Sequence, residues 1–162
     1  MGKPSRLLHR IKKGIQMERR KFLGLGLTAA AVLPVALSAT DWRQTKPDTW
    51  TAKKVDDAIK ALYGDIKTEA SGIKLKLPKV ASNGGAVPVS FKSDIPAKTV
   101  ALLQDANPES AVAVFDEPSV IDFSLNIKMK GSGTISVVVE GKDGKFYRVD
   151  QKIEVALGGC EG

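Results

Sequence analysis

Nine residues set the class of structure this chain can adopt. From Ile121 to Met129 the apolar residues Ile121, Phe123, Leu125, Ile127 and Met129 alternate with Asp122, Ser124, Asn126 and Lys128, and Lys130 continues the pattern. Successive side chains of a strand point to opposite faces, so this period of two gives one apolar and one polar face. The same period recurs along most of the chain. Ile73, Leu75 and Leu77 alternate with lysines up to Pro78, and Val87, Val89 and Phe91 follow the turn Ser82-Asn83-Gly84-Gly85. Thr99–Gln104, Ala111–Phe115, Thr134–Glu140, Phe146–Val149 and Lys152–Leu157 complete the series. Turn signals at Pro96, Asn107-Pro108 and Gly131-Ser132-Gly133 separate these segments, and Asp143-Gly144 predicts a two-residue hairpin. Short strands at intervals of about 8–12 residues predict a mainly β fold: an immunoglobulin-like antiparallel β-sandwich of seven to eight strands.

One segment has a different period. Val55, Ile59 and Leu62 share a face at helical spacing, which predicts a single N-terminal helix over Thr51–Tyr63. Asp48 or Thr51 is its expected N-cap and Gly64 its stop. Thr40–Pro47 reads as a polar lead-in, and Trp50 and Tyr63 are expected to anchor the helix to the body by packing. The charged residues that alternate along the strands read as solvated faces.

The first 39 residues are expected to be an export leader. Arg19-Arg20-Lys21-Phe22-Leu23 precedes an apolar run to Leu37, closed by the small residues Ser38 and Ala39. A basic start, an apolar centre of this length and a small-residue exit describe a secretory signal peptide, too short for a membrane span. The paired arginines give it the twin-arginine character, and Met17 is the expected true start. This implies a periplasmic protein, with no membrane attachment after leader removal. Residues 1–39 hold eight basic residues and one acidic one, whereas residues 40–162 hold 17 of each. The excess positive charge therefore belongs to the leader, and a nucleic-acid partner, which needs surplus cations for phosphate, is excluded. Residues 40–157 form the expected domain, large enough for one core.

Chemistry then concentrates at residues 158–162, Gly158-Gly159-Cys160-Glu161-Gly162. Cys160 is the only cysteine, and the only histidine, His9, lies in or before the leader. The expected mature chain thus lacks the base for Ser-His or Cys-His catalysis and the donors for a zinc or copper site. Glycine resists being fixed, so the Gly-Gly pair makes a loose extension. Two residues beyond Leu157 let Cys160 stand on the order of 7–10 Å clear of the sheet. In an oxidising compartment a single cysteine is either a reactive thiol or joined to another molecule. The expectation is a thiol on a mobile arm.

The Gly158-Gly159-Cys160 ending with Gly162 close behind, on an exported β domain, resembles the SoxY family, sulfur carriers of the bacterial Sox thiosulfate-oxidation system. Ile73–Gly84 followed by Val87-Pro88-Val89, Asn107-Pro108, and Ile127-Lys128-Met129-Lys130 resemble that family too, and the likeness runs from Met17 to Gly162. It implies a carrier without catalysis or cofactor of its own, in which Cys160 is the covalent attachment point and Gly158, Gly159 and Gly162 form the hinge. It also implies a SoxZ partner in a heterodimer. Transient contacts would follow with the c-type cytochrome SoxAX, the thiohydrolase SoxB and, in some systems, the sulfane dehydrogenase SoxCD. Glu161 departs from the family's Gly-Gly-Cys-Gly-Gly ending and is a candidate modulator. Its carboxylate disfavours the thiolate slightly, and its bulk burdens an arm that would enter a narrow channel. Two rival readings are a thiol redox or disulfide protein and a structural module joined by an intermolecular disulfide. The first lacks a second cysteine or a neighbouring base.

Overall fold

The computed structural model describes residues 40–156; the leader at 1–39 and the arm at 158–162, together with Leu157, lie outside the described residues. Three short helices come first, α1 (Trp42–Thr45), α2 (Pro47–Thr51) and α3 (Val55–Tyr63), followed by nine strands. These are β1 (Thr68–Glu69), β2 (Ile73–Lys76), β3 (Val80–Ala81), β4 (Val87–Ser93), β5 (Ala97–Gln104), β6 (Ala111–Asp116), β7 (Ile121–Ile127), β8 (Gly133–Gly141) and β9 (Phe146–Val155). The larger sheet runs β1-β9-β8-β5-β6, with β3 also on β9, and the smaller runs β2-β4-β7. The sandwich is as expected, and its main ladders are antiparallel. The two-residue strands β1 and β3 differ, because each adds to β9 in parallel. No run of two residues shows a period, so neither was legible.

The alternating strands meet face to face. Val87, Val89 and Phe91 of β4 pack against Val100 and Leu102 of β5 and Ile135, Val137 and Val139 of β8. Phe91, Phe115 and Phe123 cluster within this core, with the rings of Phe115 and Phe123 stacked at 4.2 Å. The central strands β5 and β8 are buried on both faces, which explains the unbroken apolar runs Val100–Leu103 and Val137–Val139. The second face is supplied by α3, whose Ala58, Ile59 and Leu62 cover Ala101, Leu103 and Val138. The predicted Val55, Ile59, Leu62 stripe is therefore the contact, with Val55 at its margin.

The helical region departs from the single helix expected. Ala52 and Lys54 are extended, with ψ of 129° and 143°. The Ala52 carbonyl accepts the Ser110 N–H at 2.9 Å, which ties the break to the sheet. Neither Asp48 nor Thr51 caps α3, which starts after Lys54 with no side-chain cap and carries Asp56 and Asp57 in its first turn instead. The lead-in is α1, capped by Asp41, whose Oδ1 accepts from the N–H groups of Arg43 and Gln44. Gly64 ends α3 as expected, at φ +80°. Tyr63 anchors α3 to the sheet as expected, with its hydroxyl 2.9 Å from Thr99. Trp50 instead lies in α2 and ties it to α1, its indole donating to the Trp42 carbonyl at 3.1 Å under the Arg43 guanidinium, and Trp42 is the tryptophan packed against the α3 core.

Two further boundaries differ. The Asp143-Gly144 turn has three loop residues, closed by Gly141 N–H donating to the Lys145 carbonyl, with Gly144 in the left-handed region at φ +81°. A turn of this kind needs glycine at its last position. Leu157 lies outside the described residues, and the two strands expected at Phe146–Val149 and from Lys152 onward are one, β9, which ends at Val155, because Asp150 and Gln151 stay in register with Ser136 and Ile135. Polar residues there mark an exposed face, and no turn interrupts the ladder.

Candidate functional site: the root of the C-terminal segment

Every site residue expected from sequence, Cys160 with Gly158, Gly159, Glu161 and Gly162, lies outside the described residues. The structure fixes instead the platform from which that segment leaves, four residues before the cysteine. Strand β9 delivers it. Ile153 is buried and Val155 nearly so, while Glu154 and Ala156 face solvent.

Three contacts hold this last turn of chain. The Ala156 N–H donates to the Ala81 carbonyl at 2.9 Å and the Glu154 N–H to the Lys79 carbonyl at 3.4 Å, so that β3 grips one edge of β9. On the other edge the Val155 N–H donates to Ser132 Oγ at 2.9 Å. A buried or half-buried backbone donor needs such a partner, and each bond adds about 1 kcal/mol of net stability. The root of the segment is thus clamped from both sides.

The clamp depends on two turns. Asn83 Oδ1 accepts the Gly85 N–H at 2.7 Å, shaping the Ser82–Gly85 turn. Gly84 then comes so close to the chain after β7 that a Cβ there would lie 2.5 Å from the Met129 carbonyl oxygen and 3.2 Å from Val155. Only glycine allows that approach. Its carbonyl accepts the Met129 N–H at 2.8 Å. Asn107 holds the other turn, donating through Nδ2 to the Lys128 carbonyl and accepting the Lys130 N–H, both at 2.8 Å. The fully buried Gln104 supports Asn107 by accepting its N–H and that of Ala106 and by donating to the Glu109 carbonyl. Gln104 carried no functional signal in the sequence. Ser132, Gly84 and Asn107 carried a turn signal, and Ala81, Gly84 and Asn107 fall in the stretches that resembled a known family.

Among the described residues no group of three or more histidine, cysteine or carboxylate side chains could hold a metal ion. No described helix is long and apolar enough to cross a membrane. The strongest titration shift belongs to Tyr63. Burial raises its hydroxyl well above the usual value, and the Glu140 carboxylate adds to this against the Thr99 hydrogen bond. Tyr63 lies under α3 beside Phe146, at the opposite end of β9 from the segment's root, and serves the helix contact.

No protein with a curated description matches the chain. The SoxY sulfur carrier protein of Chlorobium limicola f thiosulfatophilum is 34% identical with a TM-score of 0.58, over 64% of this chain and 97% of that one. A superoxide reductase (neelaredoxin) of Ignicoccus hospitalis is 16% identical over 54% of this chain and 82% of its own, with a TM-score of 0.47. The fibronectin(III)-like modules of Clostridium thermocellum CbhA are 15% identical over 51% of this chain and 93% of their own, with a TM-score of 0.38. The family model for the sulfur oxidation protein SoxY matches residues 59–160, from the core residue Ile59 of α3 to Cys160 itself. The chain belongs to the SoxY family.

Proposed function

We propose that this chain is a covalent carrier of sulfur-oxidation intermediates, with Cys160 as the point of attachment. The observation that carries this reading is the family match, which extends through the Gly-Gly pair and ends on Cys160, beyond the last packed strand. The clamped root and a cysteine four residues further on suit a reach that starts from a fixed point.

The chemistry is written on one sulfur. Thiolate is the form that bonds to another sulfur. Cys160 thiolate and thiosulfate lose two electrons to a c-type haem partner and form a cysteine S-thiosulfonate. Water then attacks the terminal sulfonate sulfur on a metal-dependent thiohydrolase, releasing sulfate and a proton and leaving a cysteine persulfide. A sulfane dehydrogenase removes six electrons from the persulfide with three waters, releasing seven protons and giving an S-sulfonate anion, and a second hydrolysis frees the thiol. None of these steps draws a catalytic group from this chain. Its contribution is presentation, since a tethered intermediate meets each partner at a raised effective concentration. Gly158, Gly159 and Gly162 supply the hinge, and Glu161 modulates entry into a partner's channel. The working unit is a heterodimer with SoxZ, exported by the twin-arginine route to the periplasm and served by SoxAX, SoxB and SoxCD.

Cys160→Ser is the test. It is expected to leave folding and SoxZ binding unchanged and to abolish thiosulfate-dependent electron transfer in the reconstituted system. Undiminished activity overturns the carrier reading.

A further inference from the structure

Charge is unevenly distributed over this fold. Residues 73–93 and 121–130, which span the three strands of the smaller sheet, hold six lysines and one carboxylate, Asp122, and Asp94 follows β4 directly. The rest of residues 40–156 hold eleven basic and fifteen acidic residues. Nearly neutral overall, the domain is positive on one sheet and negative elsewhere.

The six lysines lie on the smaller sheet and in the segments that follow its strands β2 and β7. Lys74 and Lys92 lie directly opposite each other across β2 and β4, and Lys76 lies opposite Ser90. Their period of two places Lys74, Lys76 and Lys92 on the outward face of the smaller sheet, and all are exposed. Like charges placed directly opposite weaken a sheet, so this pairing serves no packing purpose. Asp122 offsets Lys92 alone, at 2.7 Å. Lys74, Lys76, Lys79, Lys128 and Lys130 form no ion pair with a described residue.

The surface continues to the root of the C-terminal segment. Lys79 gives its carbonyl to the Glu154 N–H, and Lys128 and Lys130 flank Met129, which bonds to Gly84 beside Val155. Three exposed lysines therefore belong to the segments that meet the last described residues, where the exposed Glu154 of β9 is the one carboxylate, and three more lie further along the smaller sheet.

From this we infer that the lysine-lined face of the smaller sheet, together with Lys79, Lys128 and Lys130, is the docking surface for enzymes whose active-site mouths are rimmed with carboxylates. This deepens the carrier reading and rests on it. Opposed fields steer encounter and set orientation more than they raise final affinity. A face that is basic and ends at the arm's root, where Val80 is the one exposed large hydrophobic among its described residues, suits brief, repeated visits better than a permanent interface. It orients the partner's mouth towards Cys160 before the arm enters.

The experiment uses the full chain with SoxZ, purified cytochrome SoxAX and thiosulfate. For the native carrier, kcat/KM with respect to carrier is expected to fall about tenfold between low and physiological ionic strength. Lys→Gln at all six positions is expected to lower it about tenfold at low salt, leave kcat unchanged and remove most of the salt dependence. The triple variant Lys79→Gln, Lys128→Gln, Lys130→Gln gives an intermediate value and serves if the sixfold variant is unstable. A control with Gln at Lys53, Lys54 and Lys142 stays close to native. A native rate independent of salt, or a triple variant equal to native, overturns docking at this face. Reaction of Cys160 with dianionic dithionitrobenzoate and with neutral dipyridyl disulfide is expected to be equal in native and variant. Slowing of the dianion to the same extent as the partner would mean that the lysines attract small anions, and would also overturn the proposal. Failure of the carrier reading shows separately, as full activity of Cys160→Ser.

Discussion

Tyr63 shows how one side chain couples the helix to the sheet. Its ring lies 5.2 Å from that of Phe146, and its hydroxyl meets Thr99, which donates in turn to Glu140 at 3.0 Å. Burial, more than the nearby carboxylate, keeps the phenol protonated in the folded chain. The sign of the linkage follows. The unfolded phenol ionises near pH 10 and the folded one only above that. The stabilisation is fully present below about pH 10 and is lost as pH rises beyond it. Tyr63→Phe is expected to cost about 1 kcal/mol at neutral pH, the net value of one hydrogen bond. Above about pH 10 its stability should decline less steeply than that of the native chain in denaturant titrations. Parallel curves would contradict the assignment. In sequence the aromatic at the end of the helical stripe signalled an anchor, but its partners Thr99 and Phe146 are distant in sequence. Gln104 was less legible still: a polar residue ending an apolar strand looks like an exposed terminus, yet it is fully buried and organises residues 105–110.

At the scale of elements, α3 explains why the larger sheet tolerates two apolar faces. Without it Ala101, Leu103 and Val138 would meet water. Leu62 is 4% exposed in that contact, so Leu62→Ala is expected to destabilise the domain by about 2–5 kcal/mol. A loss below about 0.5 kcal/mol in equilibrium unfolding, the range of ordinary surface substitutions, would show that the helix is only loosely laid on the sheet. The helical stripe and strands β2, β4, β7 and β8 were legible because one period governs each. The break at Ala52–Lys54 was not, since it is set by a hydrogen bond from Ser110, 58 residues away. Strand β9 reads as two strands because Asp150 and Gln151 interrupt its apolar count, although ladder pairing ignores side-chain polarity. Strands β1 and β3 exist only as additions to β9, and β3 matters most because it grips the root of the C-terminal segment.

At the scale of the molecule, the fold is a platform with a defined exit. Strand β9 crosses the larger sheet from the α3 end and finishes between Ala81 and Ser132, beside three lysines. The terminal Gly-Gly-Cys signalled the proposed attachment point in sequence because its composition is unlike that of any packed strand. The function of the platform beneath it was not legible there, since Ala81 and Gly84 act through backbone contacts and Ser132 through its hydroxyl, brought together from separate segments of the chain. The central claim is that Cys160 bears sulfur intermediates. Intact mass of the chain isolated from cells oxidising thiosulfate, before and after reduction, tests it most directly. The account predicts a reducible adduct with the mass of sulfur, sulfite or thiosulfate, localised to Cys160. An unmodified thiol under those conditions, or a doubled chain mass as the only reducible species, would contradict it.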